Sequence, residues 1–366
     1  MKLLMVSGDR SILEGKRGAF WYTLEEFSKH WDRIDIICPK PKGSIHTEKP
    51  AENVHFHPSK RGIWFQMPFI KLTGSRLVKE YKHNVMTVHD YPPFFNGLGS
   101  AMIATKTNIP FALEVHHLVG YPVVSGWKEW IGKWMTPRVL PGNCRSANQV
   151  RTVNSEVKNQ LIAWGADPSH ITVVPSFYLD EQALTPDPSI AKAYDVAFCA
   201  RLVPNKGLHN LLKAMARLEG KTLIVIGNGS GRKKAEEQAK KLGIDKRVHF
   251  AGWQKENADV YKAIQSARVF VMNSKSEGGP RSALEAMALG VPVISTAVGV
   301  MPDVIEDNLR GVLTSGESID LSDVIGDLLK DESRRTELGK QGRTIMDFFE
   351  RRTLIKNYAD FLKSLI

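Results

Sequence analysis

Short apolar runs recur from one end of this chain to the other, most of them followed by a polar residue, with stretches long enough for a helix between them. In the first half they are Leu3–Val6, Asp32–Cys38, Val85–Val88, Pro110–Val115 and Gln149–Val153. In the second half they are DVAFCA from Asp195, TLIVIG from Thr222, RVHFAGW from Arg247, RVFVMN from Arg268 and VPVIST from Val291. Continuous rather than alternating apolar runs belong to strands buried on both faces, and helices between them predict a parallel, doubly wound sheet. At 366 residues the chain exceeds what one core usually organises. The expectation is α/β with two Rossmann-like domains, residues 1–180 and 181–349. The boundary is set by the unpatterned, proline-bearing stretch Phe177–Tyr194. The apolar positions Leu354, Ile355, Tyr358, Phe361, Leu362 and Leu365 follow helical spacing and predict a last helix at about 350–366. Helices are also predicted at Ala19–His30, Gly231–Leu242 and Asp259–Ala267.

Apolar content of 42% and charged content of 24% are those of a folded globular chain. The net charge of +11 suits nucleic acid, anionic lipid or a phosphorylated substrate, and does not choose among them. No nucleic-acid-reading module accompanies the charge, so nucleic acid is not expected as a partner. The cysteines, Cys38, Cys144 and Cys199, are odd in number and far apart, which fits a reducing compartment and gives no zinc or redox pair. No apolar run is long enough for a signal peptide or a spanning helix, so the expected location is the cytoplasm.

The segment Glu277–Gly290, EGGPRSALEAMALG, carries the most chemistry. Gly278, Gly279 and Pro280 predict a helix N-terminus open to close approach by a ligand, with unpaired amides for an anion or hydroxyl. The helix SALEAMAL is apolar on nearly every face except at Glu285, which predicts burial of that carboxylate and therefore a partner for it. Two partners fit: a ribose diol, or a structural cation, with Glu277 then paired to Arg281. Two glutamates eight apart around Gly-Gly-Pro resemble the E-x7-E signature of retaining enzymes of glycosyltransferase family 4. That resemblance implies the GT-B architecture, two Rossmann-like domains facing across a cleft, with the C-terminal helix packed back on the first.

Other segments match that family in order. Cys199–Gly207, CARLVPNKG, resembles its G-R-L-x-x-x-K-G segment, which implies that Arg201 and Lys206 hold the donor diphosphate. Both stand on a turn at the end of a parallel strand, where α/β folds bind ligands. Gly227 and Gly229 match the turn beside the nucleotide, Trp253 the loop along the base, and Gly15 and Gly18 a glycine-rich loop facing phosphates and acceptor. His116 takes the place of a histidine beside the transferred sugar. The implied catalytic residues are His116, Arg201, Lys206 and Glu277. Arg281 and Glu285 join Gly278, Gly279 and Pro280 in donor binding. His89 and Asp90, ending an earlier strand, are candidates for the acceptor hydroxyl. Two positions depart from the family: Ala200 stands for a glycine, and Pro175-Ser176-Phe177 for Pro-Asn-Gly.

The function these features imply is retaining transfer of a sugar from a nucleotide sugar to a glycan or lipid-linked acceptor. No cofactor is expected, the nucleotide sugar being a substrate, and no metal, since no two aspartates stand in D-x-D relation. The alternatives are a non-catalytic GT-B relative that binds a nucleotide, or an NAD-dependent oxidoreductase. The segment nearest to an NAD fingerprint, GNGSGR from Gly227, lacks the last glycine. Trp127, Trp130, Ile131 and Trp134 at helical spacing, interleaved with Lys128 and Lys133, and the stretch KRGIWFQMPFIK from Lys60 mix bases with aromatics. They suit peripheral association with an anionic membrane surface, the inner face of the cell membrane, or else a core-facing stripe.

Overall fold

Two separate parallel sheets carry the chain. The computed structural model describes residues 1–119, 121, 127–277, 279–306 and 309–366; of residues 127–129 it describes the backbone. One compact unit comprises Met1–Ser176 with Arg352–Ile366, the other Phe177–Arg351.

In the first unit the strands are β1 (Lys2–Val6), β2 (Arg33–Cys38), β3 (Val54–Pro58), β4 (Val85–His89), β5 (Phe111–Val115), β6 (Gln149–Thr152) and β7 (Ile171–Val173). They lie in the order β3-β2-β1-β4-β5-β6-β7, all parallel. Leu3, Leu4, Ile36, Val88, Phe111 and Leu113 are fully or almost fully removed from solvent, as strands covered on both faces require. The helix Arg351–Lys363 buries Leu354, Ile355, Tyr358, Ala359 and Leu362. Tyr358 stacks on Phe27 of the helix Ala19–Phe27, with ring centroids 4.9 Å apart.

In the second unit β8 (Tyr194–Cys199), β9 (Leu223–Ile226), β10 (Val248–Gly252), β11 (Ala267–Met272), β12 (Val293–Thr296) and β13 (Val312–Thr314) take the order β10-β9-β8-β11-β12-β13, again parallel throughout. Its core gathers Val196, Phe198, Leu211, Val225, Val271 and Ile325. This is the doubly wound α/β organisation that the apolar runs predict.

The strands that the sequence pattern misses are β3, β7 and β13, each the last of its sheet. An edge strand need not be apolar on both faces, and β3, VHFHP, fully buries only Val54. The helix expected at Asp259–Ala267 runs instead from Asn257 to Gln265, and Ala267 opens β11. Its last turn closes when the Ser266 amide donates to the Lys262 carbonyl. Among the described residues no helix is long and apolar enough to cross a membrane.

Candidate active site

Strand order reverses direction at β8 and β11, and in open α/β sheets ligands bind beyond the carboxyl ends of the strands at that switch. The loops leaving these two strands are locked to each other. After β8 a short 3-10 turn, Pro204–Lys206, is closed by Gly207 at φ 72°. After β11 the Asn273 side chain donates to the carbonyls of Gly207 at 3.1 Å and Gly316 at 3.2 Å, and the Lys275 amide to that of Asn205 at 2.8 Å. A Cβ at position 207 would run into the Asn273 carbonyl, so this position needs glycine both for its left-handed backbone and for the close approach. On that base the Lys206 ammonium pairs with Glu277 Oε1. The same oxygen accepts from Ser274 Oγ at 2.7 Å, and Thr296 Oγ1 donates to the Ser274 carbonyl at 2.6 Å.

The helix Arg281–Ala288 begins beside this pair, its start tied to the end of β8 by a 2.8 Å hydrogen bond from Ser282 Oγ to the Cys199 carbonyl. Residues 283–288 are buried, and Glu285 is 7% exposed. Its Oε1 accepts from Arg281 Nε at 2.8 Å and from the Tyr261 hydroxyl at 3.2 Å; among the described residues Oε2 receives no hydrogen bond. Burial pushes the Glu285 carboxyl above its usual range, against the pull of Arg281. Glu277 thus pairs with Lys206, and Arg281 serves Glu285 from one helical turn away. Pro280 is the N-cap residue of this helix. Gly279 packs so closely under the Phe177 ring that a Cβ there would overlap it, and Phe177 stacks on Phe349 at 5.3 Å. Gly278 lies outside the described residues.

Gly227 and Gly229 have a packing task in this structure. A Cβ on Gly227 would strike the Ala200 carbonyl, and one on Gly229 the Leu202 backbone. Removing both side chains lets the turn after β9 lie against residues 200–202, joined by the Leu202 amide donating to the Asn228 carbonyl at 2.9 Å. Arg201 is exposed, and its guanidinium has no acceptor among the described residues. Trp253 follows β10 and is 72% exposed.

In the first unit β1 and β4 are the switch strands, with β5 next to β4. His89 ends β4, and His116 follows the end of β5; their rings stack with centroids 4.2 Å apart. Burial, then the neighbouring His116, pushes the His89 imidazole down to about 3, so it stays neutral. His116 Nε2 lies 2.9 Å from Glu114 Oε2. Asp90 turns inward, 4% exposed, accepting from the Gly97 amide at 2.9 Å and Asn143 Nδ2 at 2.7 Å. Gly15, at φ 77°, closes the turn after Ile12–Glu14, and Gly18 is the N-cap of Ala19–Phe27 with open space where a Cβ would stand.

Residues 182–345 match the family model of glycosyl transferases group 1, and residues 20–178 that of glycosyltransferase family 4. The chain is a GT-B glycosyltransferase. A lipopolysaccharide core biosynthesis glycosyltransferase, LpsE of Rhizobium meliloti, is 34% identical over 48% of this chain and 51% of its own length. A GDP-mannose-dependent phosphatidylinositol monomannoside mannosyltransferase of Mycobacterium tuberculosis is 29% identical over 99% of this chain and 98% of its own. Among solved structures, Anabaena HepE in complex with UDP superposes with a TM-score of 0.77 at 19% identity, each chain covered completely. Sucrose-phosphate synthase from Thermosynechococcus elongatus gives 0.78 at 17% identity, covering 100% of this chain and 98% of the other. These two likenesses establish the fold. The comparisons give the oxidoreductase alternative no support.

Several residues that build the site within each unit of this GT-B glycosyltransferase escape a reading by motif. Ser274, Asn273 and Thr296 fix the Lys206–Glu277 loops, Tyr261 shares Glu285 with Arg281, and Arg151 and Tyr358 converge on Glu114. For Glu114 a signal existed: it is a charge inside a strand of otherwise apolar residues, FALEV, whereas Arg151 in QVRT has polar neighbours and gave none.

Proposed function

We propose that this glycosyltransferase is a family 4 enzyme of the hexosyltransferase type that takes a sugar from a nucleoside diphosphate donor. It hands the sugar, with retention of anomeric configuration, to a glycan or lipid-linked acceptor. The observation that carries the reading is the Lys206–Glu277 pair, which joins the two switch-strand loops of the second unit next to the start of the helix bearing Glu285. Cations and free helix amides at such a point suit a diphosphate, and a buried carboxylate with an open oxygen suits a ribose hydroxyl. The M. tuberculosis relative is named for GDP-mannose, and HepE has been solved with UDP-glucose, which supports a nucleotide sugar as donor.

In this reading Glu285 Oε2 receives the ribose. Arg201 and Lys206 neutralise the charge that develops on the departing diphosphate, together with the amides at Gly278, Gly279 and the first turn after Pro280. Lys206 is already oriented by Glu277, so the donor meets a placed cation, and Glu277 is left to contact the sugar hydroxyls. Gly227, Gly229 and Trp253 border the nucleotide. The acceptor attacks from the face that the diphosphate leaves, and a departing phosphate oxygen takes its proton. His116, Gly15 and Gly18 are the contribution of the first unit to the sugar and acceptor. Neither a metal nor another cofactor takes part.

The exposed aromatics of the first unit support a second element of the proposal, reversible attachment to an anionic bilayer on the cytoplasmic side. Trp64 is 80% exposed, Trp130 63% and Trp134 55%, with Arg61 over the Phe65 ring and Arg138 over Trp134. The side chains of Trp127 and Lys128 lie outside the described residues.

The test is a panel of nucleotide sugars scored for thermal stabilisation and, with candidate acceptors, for product and its anomeric configuration, with and without chelator. One donor should stabilise the protein and be consumed with retention, indifferent to chelator. Stabilisation without transfer to any acceptor would favour the non-catalytic relative, and loss of turnover in chelator would overturn the metal-free mechanism.

A further inference from the structure

The first unit contains a buried charge system of which the proposed mechanism uses only one member, His116. Glu114, 5% exposed on β5, takes four side-chain donors. Oε1 accepts from Thr87 Oγ1 and from the Tyr358 hydroxyl; Oε2 accepts from Arg151 Nη1 at 2.6 Å and lies 2.9 Å from His116 Nε2. Arg151 is itself held on its other edges, by the carbonyls of Val174 at 3.0 Å and Pro175 at 2.7 Å, and its guanidinium lies 3.8 Å over the Tyr358 ring. Burial works against ionisation of Glu114, but Arg151 and the hydrogen bonds outweigh it and hold the carboxyl well below its usual range.

A buried ion pair of this kind is a poor source of stability, because desolvation offsets most of the attraction and apolar residues would serve the core as well. One member distinguishes it from a purely structural pair. His116 is the only one of the five whose side chain reaches solvent appreciably, at 29%, and it does so just past the carboxyl end of β5 beside the switch strands. Since an ionised carboxylate can only accept, Nε2 must carry the hydrogen in their contact. In the neutral imidazole Nδ1 is then unprotonated, and among the described residues it has no hydrogen-bond partner. The neutral His89 ring covers one face of the imidazole and limits its rotation.

We infer that Glu114 is a positioning residue, which fixes His116 as its Nε2–H tautomer so that Nδ1 is presented as an acceptor for a sugar hydroxyl. Tyr358 completes the carboxylate's shell, which makes the helix Arg351–Lys363 part of the support of that site. This deepens the glycosyltransferase reading and rests on its placing of His116 against a sugar. The logic is that of a metal-bound or catalytic histidine whose far nitrogen is held by a carboxylate, with this ligand nitrogen facing a hydroxyl.

Two measurements test it. In the wild-type protein, imidazole nitrogen–proton correlation spectra, with His116 assigned by its loss in His116→Gln, should show the Nε2–H tautomer; the Nδ1–H form or an exchanging mixture overturns the inference. This spectrum needs no substrate, so it stands apart from any failure to find a sugar donor, which would count against the glycosyltransferase reading alone. The second measurement is the pair Glu114→Gln and Glu114→Gln/Arg151→Met. The single variant strands a buried cation and loses stability, whereas the double variant removes both charges and recovers melting temperature. Glutamine donates as well as accepts and no longer dictates the tautomer. Turnover in the double variant should therefore stay down by roughly 10- to 100-fold at unchanged affinity for the nucleoside diphosphate. Recovery of turnover together with stability shows that Glu114 is structural only.

Discussion

Lys206 and Glu277, 71 residues apart, form an ion pair that bridges the loops after β8 and β11, and side-chain exposures of 14% and 16% leave both within reach of a ligand. The pair stands where the second sheet reverses its strand order. Its chemistry follows from that place: the backbone of both loops is already fixed by Asn273 and by the Lys275 amide, so the ammonium is held before any anion arrives. Placement in advance is what makes a cation effective against charge that develops in a transition state.

Lys206→Ala should therefore lower kcat/KM by the equivalent of about 2 to 4 kcal/mol, and Arg201→Ala by a similar amount, with the fold intact. Arg201 is exposed and without an acceptor among the described residues, so its loss breaks nothing in the free protein. Steady-state kinetics with the stabilising donor checks this. Normal turnover in both variants would remove the diphosphate site from this turn.

Asp90 yields a pH dependence of stability. Burial raises its carboxyl to about 6, although Asn143 and the Gly97 amide favour the ionised form. The folded value lies above the unfolded one, so the stabilising contribution is full below about 4 and is lost as pH rises through 6. Relative to Asp90→Asn, the wild type should lose up to about 3 kcal/mol between pH 4 and 7, read from denaturant midpoints at each pH. A constant difference across that range would mean that Asp90 is ionised throughout.

Membrane attachment predicts that the protein floats with vesicles containing anionic lipid at low salt and is released as salt rises. Trp130→Ser should weaken flotation without lowering the melting temperature, because a side chain 63% exposed supports little core. Unfolding of that variant would assign the stripe to the core.

The parallel sheets are legible in the sequence because central strands bury both faces and read as largely apolar runs. The helix after Pro280 is legible because Gly-Gly-Pro followed by a nearly all-apolar segment has few other solutions. What the sequence hides is long-range pairing. Arg281 and Glu285 lie one helical turn apart, but Glu114 finds Arg151 at a separation of 37 residues and Tyr358 at 244. No local spacing encodes such contacts, and only a charge inside an apolar strand marks that a partner must exist. The partner of Glu277 was open to a similar ambiguity: Arg281 is near in sequence, yet β8 and β11 are neighbours in the sheet, and Lys206 arrives from the adjacent loop.

The central claim is that the second unit binds a nucleoside diphosphate with Glu285 as its ribose acceptor, and Glu285→Gln tests it most directly. Burial holds the Glu285 carboxyl above its usual range, so the folded protein gains little from that charge, and the amide should leave the melting temperature nearly unchanged. A ribose hydroxyl bonded to Oε2 would lose a charge-assisted hydrogen bond, worth about 1.5 to 3 kcal/mol. Calorimetric affinity for the nucleoside diphosphate should accordingly fall by roughly 10- to 100-fold in a protein that melts like the wild type. Unchanged nucleotide affinity with a large drop in melting temperature would show that Glu285 serves only Arg281 and Tyr261, and would contradict the account.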